Sequence, residues 1–217
     1  MSSSQHKIID LTLSYHEGMA GYQSEVARTV EVDGWNAKTL HLYSHAGTHM
    51  DAPWHFGVND RTIDRYLPDR LMGKAWIAHI PNVRPNQLLR VEDLGPIADI
   101  IQWDDNLLIR TDWSKHINDS KVYRDGLPRI SAELAHWCVE KGINILGVEP
   151  PSVADVNNLE EVTRIHHILL GGDVIIVEGL CNLDQIQTPS CWLIALPLKI
   201  HQGDGAPARV VAREISE

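Results

Sequence analysis

The stretch Ser44-His45-Ala46-Gly47-Thr48-His49-Met50-Asp51-Ala52-Pro53-Trp54-His55-Phe56 decides how the rest of the chain is read. With His41, it places four of the chain's 12 histidines within fifteen residues. His45, His49 and Asp51 follow one another at spacings of four and two. Imidazole and carboxylate are ligands that suit zinc and other divalent first-row metals. A spacing of four alone would put two histidines on one helical face. Gly47 and Pro53 argue instead for irregular backbone, folded back so that alternate side chains converge. Three protein ligands leave coordination positions open, as catalytic metal sites do. His55 then reads as a base beside the metal or as a further ligand. The competing reading is a surface loop that happens to be rich in histidine; Met50, Trp54 and Phe56, which look buried, weigh against it.

The pattern His-x-Gly-Thr-His-x-Asp-x-Pro-x-His, complete from His45 to His55, resembles the signature of the cyclase family of metal-dependent hydrolases. That family includes kynurenine formamidase-like and isatin hydrolase-like enzymes. The resemblance implies a swivelling β/β/α fold, with a curved sheet or barrel and helices alongside, and an assembly of two or more subunits.

The 217 residues suit one domain spanning 1–217. Hydrophobic content of 43% and charged content of 22% are ordinary globular values. A net charge of −10 repels nucleic acid and anionic membrane, so neither is an expected partner; a small-molecule substrate is. Cys138, Cys181 and Cys191 form no CxxC pair and read as reduced thiols of a cytoplasmic protein. The N-terminal residues 1–7 lack the apolar run of a signal peptide. No stretch has the apolar length needed to span a bilayer.

Strands are predicted at 7–13, 26–32, 37–43, 74–80, 106–111, 143–148, 174–178, 191–196 and 209–213. Asp33-Gly34 is a hairpin turn. The strand at 37–43 delivers the histidine-rich stretch at its end. A helix over 132–141 has Ser131 as N-cap and Gly142 as stop, and a second over 159–170 has Asn158 as cap and ends at Gly171-Gly172. A short helix broken by Gly95-Pro96 fits 87–98. Many strands with at least two helices give an α/β or α+β domain with a mixed sheet.

In the second helix, Val162, Ile165 and Leu169 define the buried stripe, and His166 falls inside it. Its neighbour His167 points about 100° away. By itself His166 reads more readily as a hydrogen-bonded core histidine than as a ligand. Glu178 ends the apolar run 174–177, where a lone charge is costly to bury, unless the strand has simply reached solvent. The family carries a second metal-binding pair in a His-x-x-Leu-Leu…Glu-Gly-Leu-x-Asn-Leu pattern. His166, Leu169, Leu170, Glu178, Gly179, Leu180, Asn182 and Leu183 all match it. The resemblance therefore assigns His166 and Glu178 to the site. The chain departs from the family at Met19-Ala20-Gly21-Tyr22, where many formamidase-like members carry Trp-Pro, and at Glu149-Pro150-Pro151-Ser152, where Asp-x-Pro-Ser is common.

The expected cofactor is Zn²⁺ or Mn²⁺, one or two ions per chain, since histidine with carboxylate suits both. His45, His49 and Asp51 hold the first ion; Asp51 can bridge to a second on His166 and Glu178. With one ion, His166 and Glu178 instead orient water and substrate as acid and base. His55 is the candidate proton shuttle. Trp54, Phe56, Tyr22 and Trp113 are candidate contacts for a flat substrate ring, although each also reads as ordinary core. The function expected is hydrolysis of the C–N bond of a small amide, either an aryl formamide or a cyclic amide such as a lactam. A lyase or cyclase, or a lactone hydrolase, using the same metal is the alternative, and a relative that binds metal without turnover is a third. The Gly-x-Ser-x-Gly elbow of serine hydrolases is absent. A homo-oligomer, dimer or tetramer, follows from the resemblance.

Overall fold

A computed structural model describes residues 7–215; the residues read as lacking a leader lie, except for Lys7, outside the described residues. Seven strands close into a ring. His49–Asp51 pairs antiparallel with Gly205–Glu214 on one side and with Ile175–Glu178 on the other. The remaining strands run in the order Ser190–Pro197, Met72–His79, Asn106–Arg110 and Ile145–Val148 between those two neighbours. Neighbours from Met72–His79 through Ile175–Glu178 are parallel, and the others antiparallel. Ile8–Asp10 lies on the same edge of Gly205–Glu214, beyond the point where His49–Asp51 leaves it. The fold is thus α+β, with a mixed sheet curved into a barrel and helices on its outside.

Strand parity divides the core. Met50, Leu108, Ile145, Ile175, Val177, Leu193, Ala206 and Val210 belong to one buried cluster. Leu107, Ile109, Leu146, Val148 and Ile176 belong to a second, shared with Leu134, Ala135 and Cys138 of the Ala132–Glu140 helix and with Ile165 and Leu169 of Leu159–Gly171. Because the helices can reach only the outer face, the first cluster fills the ring. His49 and Asp51 alternate with the inward Met50, and Glu178 with the inward Val177, so all three carboxylate and imidazole side chains point outward, toward the helix that carries His166.

Both helices begin where their caps predict. Ser131 Oγ accepts from Leu134 N, and the Asn158 side chain accepts from Glu161 N. A further helix, Ser120–Asp125, is capped by Asp119, and the segment around 87–98 holds two single turns, Val91–Leu94 and Ile97–Ile100.

Three expectations are corrected. The first strand spans only Ile8–Asp10. The hairpin at Asp33-Gly34 exists, but its strands are Tyr22–Arg28 and Ala37–Leu42, and Val30–Asp33 is a turn of helix. Asp33 accepts from Thr29 N, and Asn36 accepts from Val30 N. Val30 and Val32 are 52% and 85% exposed, so no packed surface rewards their β-branched side chains. The third correction concerns the opening stretch: it is irregular only at its flanks, and its centre, His49–Asp51, is the strand that closes the barrel.

The Glu149 departure falls on a structural group. Glu149 Oε2 accepts from Thr111 N at 2.7 Å and Trp113 N at 3.2 Å, and Oε1 accepts from Ser114 Oγ at 2.8 Å. Burial raises its pKa, with these hydrogen bonds opposing. Glu149→Ala orphans two buried backbone donors at about 1–3 kcal/mol each. Denaturant unfolding should therefore show a loss of roughly 3 kcal/mol, most of it restored in Glu149→Gln.

Candidate metal centre

His49, Asp51, Glu178 and His166 meet between the outer barrel wall and the Leu159–Gly171 helix. His49 Nε2 lies 3.1 Å from Glu178 Oε2 and 3.7 Å from Asp51 Oδ1. His166 Nε2 lies 3.4 Å from Asp51 Oδ2 and 3.5 Å from Glu178 Oε1. All four residues are buried. Glu178 Oε1 also accepts from Val153 N at 2.7 Å, which anchors that carboxylate from the loop after Ile145–Val148.

His45 and His55 form the outer part of the cluster. His45 Nδ1 lies 2.8 Å from Asp51 Oδ1, and its Nε2 lies 2.8 Å from Asp204 Oδ2. The His55 ring stacks on His45 at 3.7 Å between centroids, and its Nδ1 is 3.6 Å from Asp204 Oδ2. His55 stands on the turn Pro53–Phe56, which is tied to the helix where His167 Nε2 donates to Phe56 O at 2.9 Å. Phe56 stacks on His166 at 4.2 Å. Thr48 steadies the approach: its hydroxyl donates to Gly179 O and accepts from Leu13 N.

Two glycines permit this closeness. Gly179 has φ +69°, and a Cβ there would sit 2.4 Å from Gly47 O. At Gly205, opposite Asp51 in the strand register, a Cβ would meet His45 Cε1 at 2.6 Å and Met50 O at 2.7 Å.

The electrostatics point to a cation. Burial alone would lower the His45 pKa, but Asp51 and Asp204 outweigh it and lift it to about 9. Burial is likewise overcome at His166 by Asp51 and Glu178, which lift its pKa to about 10, and at His49 by Glu178 and Asp51. Burial would raise Asp51, yet His166, His45 and His49 hold it well below the usual carboxylate range. Two buried carboxylates thus draw positive charge into an enclosed place. Asp51 Oδ2 is buried with no hydrogen-bond partner, although such atoms are nearly always satisfied. The ligating atoms of His49, Asp51 and Glu178 lie within 4.8 Å of one another, as do those of His45, Asp51 and His55. Nitrogen and carboxylate donors so gathered fit a divalent metal.

The site therefore brings together His45, His49, Asp51, His55, His166 and Glu178. Phe56 joins them, stacked on His166, whereas Trp54, read from the sequence as buried, is 51% exposed. Tyr22 lies at the start of the hairpin, against Tyr15 at 5.6 Å. Trp113 is not brought to the cluster: it is 2% exposed, packs with Tyr123 and Leu127, and donates through Nε1 to Tyr123 O. Its indole was a reasonable expectation from an aromatic, polar loop, but the loop is folded over Glu149. Sequence reasoning missed Asp204. A carboxylate between Gly203 and Gly205 reads as a turn, and only its place opposite His45 reveals more.

The sequence profile of the cyclase family matches residues 9–155. A kynurenine formamidase of Bacillus cereus is 31% identical over 199 residues, covering 91% of this chain and 90% of that protein. This chain belongs to the cyclase family. Among solved structures, isatin hydrolase A from Labrenzia aggregata, bound to benzyl benzoate, shares the cyclase-family fold at TM-score 0.84 and 24% identity, over 95% of this chain and 93% of that one. A structure described as a potential metal-dependent hydrolase with cyclase activity superposes at TM-score 0.78 with 25% identity, over 97% and 99% of the two chains.

Proposed function

We propose that this chain is a metal-dependent amidohydrolase that cleaves the C–N bond of a small amide, either an aryl formamide or a cyclic amide such as a lactam. The observation that carries the reading is Asp51 Oδ2, a buried carboxylate oxygen that makes no well-formed hydrogen bond, with His166 Nε2 standing off at 3.4 Å, amid three imidazoles and a second carboxylate. The kinship with kynurenine formamidase supports the amide as substrate class. His45, His49, Asp51, His166 and Glu178 would hold Zn²⁺ or Mn²⁺, as one or two ions. When bound, such a cation lowers the pKa of a water to about 7 and polarises a carbonyl.

The chain's own residues then move the proton and place the substrate. Burial, opposed by Asp51 and reinforced by His45 and His166, keeps the His55 pKa below its ordinary value. His55 is therefore neutral at pH 7 and able to take a proton from attacking water. Its Nδ1 is turned toward Asp204, which leaves Nε2 to pass that proton to the leaving nitrogen. Phe56, stacked on His166, supplies an apolar wall, and Trp54 and Tyr22 supply ring contacts at the mouth.

The chain acts as one domain in the cytoplasm, as a dimer or tetramer. Among the described residues no helix is long and apolar enough to cross a membrane. Val26, Trp35 and Leu40 are exposed on a two-stranded hairpin, a unit that is marginal alone and gains by being covered by a second copy.

Elemental analysis of the purified protein, followed by assay on N-formyl anilines, isatin and lactones, tests the proposal. Deformylation of the anilines or ring opening of isatin that disappears on chelation and returns with Zn²⁺ or Mn²⁺ is the expected result, whereas hydrolysis of lactones alone favours the lactone hydrolase. A metal-loaded protein that hydrolyses none of these refutes it and favours the lyase.

A further inference from the structure

Each of the three imidazoles proposed as ligands, His45, His49 and His166, has one nitrogen committed to an oxygen outside the centre. His49 Nδ1 donates to Gly47 O at 3.0 Å, and His166 Nδ1 donates to Val162 O at 2.7 Å. A carbonyl oxygen only accepts, so these nitrogens carry the protons and each Nε2 is left for the carboxylates and a cation. His45 is turned the other way. Its Nδ1 faces Asp51, a member of the centre, and its Nε2 faces Asp204, which lies outside it. Two of the three rings are therefore held by the backbone, and the third by a side chain.

We propose that Asp204 is the positioning residue for His45: its carboxylate accepts the Nε2–H and so presents the Nδ1 lone pair to the cation shared with Asp51. The inference rests on the metal-dependent reading above. Metal-ligating histidines commonly donate their second N–H to a carboxylate, which fixes the ring and strengthens it as a ligand.

Asp204 is itself firmly placed. Its carbonyl accepts from Ala52 N at 2.9 Å, and the preceding Gly203 carbonyl accepts from Ile63 N at 2.9 Å. Ser44 Oγ donates to Asp204 Oδ2 at 3.2 Å. On its other side, the missing side chain of Gly205 lets the backbone lie flush against the His45 ring. The loop between Ser190–Pro197 and Gly205–Glu214 is thus stitched to both ends of the His45–Asp51 segment, and its carboxylate also stands 3.6 Å from His55 Nδ1.

The test is a titration of Zn²⁺ into the metal-free full chain against a chromophoric chelator, for the wild type, Asp204→Ala and Asp204→Asn. Loss of an outer partner costs about 10–100-fold in metal affinity, and that is the weakening expected in Asp204→Ala. Asp204→Asn keeps an oxygen that accepts the Nε2–H in a side chain of the same shape, so it should recover part of the loss and remain folded. The visible spectrum of the Co²⁺ form should shift in Asp204→Ala and return toward wild type in Asp204→Asn. Equal Zn²⁺ affinity in wild type and Asp204→Ala overturns the inference alone, as does an Asp204→Asn variant no better than Asp204→Ala. A wild-type chain that binds neither Zn²⁺ nor Mn²⁺ overturns the hydrolase reading with it.

Discussion

Replacing Asp51 with alanine should strip the protein of its metal and reduce turnover to background. No other carboxylate in the cluster faces three imidazoles: Oδ1 lies 2.8 Å from His45 Nδ1 and 3.7 Å from His49 Nε2, and Oδ2 lies 3.4 Å from His166 Nε2. Both groups of potential ligands include it, so its removal takes a donor from each. The loss should exceed the roughly 10–100-fold that follows removal of an outer partner. Asp51→Asn separates chemistry from packing, because it keeps the shape but not the charge that draws in a cation. Elemental analysis beside circular dichroism reads the outcome. A folded Asp51→Ala protein with a wild-type metal content would end the account of the site.

His55→Ala should behave differently. If His55 carries protons, its removal leaves the metal in place and lowers kcat by about 10²–10⁴-fold, the usual worth of general acid–base catalysis. The opposing possibility is concrete, since its nitrogen lies within 4.8 Å of ligating atoms of His45 and Asp51. What separates the two roles is partial exposure and the absence of a close carboxylate: its nearest carboxylate oxygen, on Asp204, is 3.6 Å away, against 2.8 Å for His45. Metal content and kcat measured on one preparation decide between them. Should His55→Ala lose metal as Asp51→Ala does, His55 is a ligand and the proton carrier must be sought elsewhere.

The helices were legible because their signals are local. Ser131 and Asn158 are caps whose side chains serve the next turn, and the stripe holding Ile165 and Leu169 marks the buried face. Barrel closure was not legible, because a strand as short as His49–Asp51 has no period to read, and Gly47 and Pro53 beside it argue for loop. Its strand character comes from two partners remote in sequence, at 177–178 and 205–207. The converse failure occurs at Val30 and Val32, whose propensity has no sheet to join. At the centre, ligand-type residues could be named from spacing and resemblance, whereas Asp204 could not, since its meaning depends wholly on a neighbour 159 positions earlier.

The strand that seals the ring is also the strand that bears two of the proposed donors, so architecture and chemistry share one seam. At three residues it is the shortest stave of the barrel, and a cation gripped jointly by its side chains, the adjacent stave and the overlying helix would act as a rivet across it. A ligand that binds only the folded form stabilises it by mass action, and here its donors would sit on the shortest strand of the ring. Drift in this lineage that alters metal preference would therefore be constrained by the need to keep the cylinder shut.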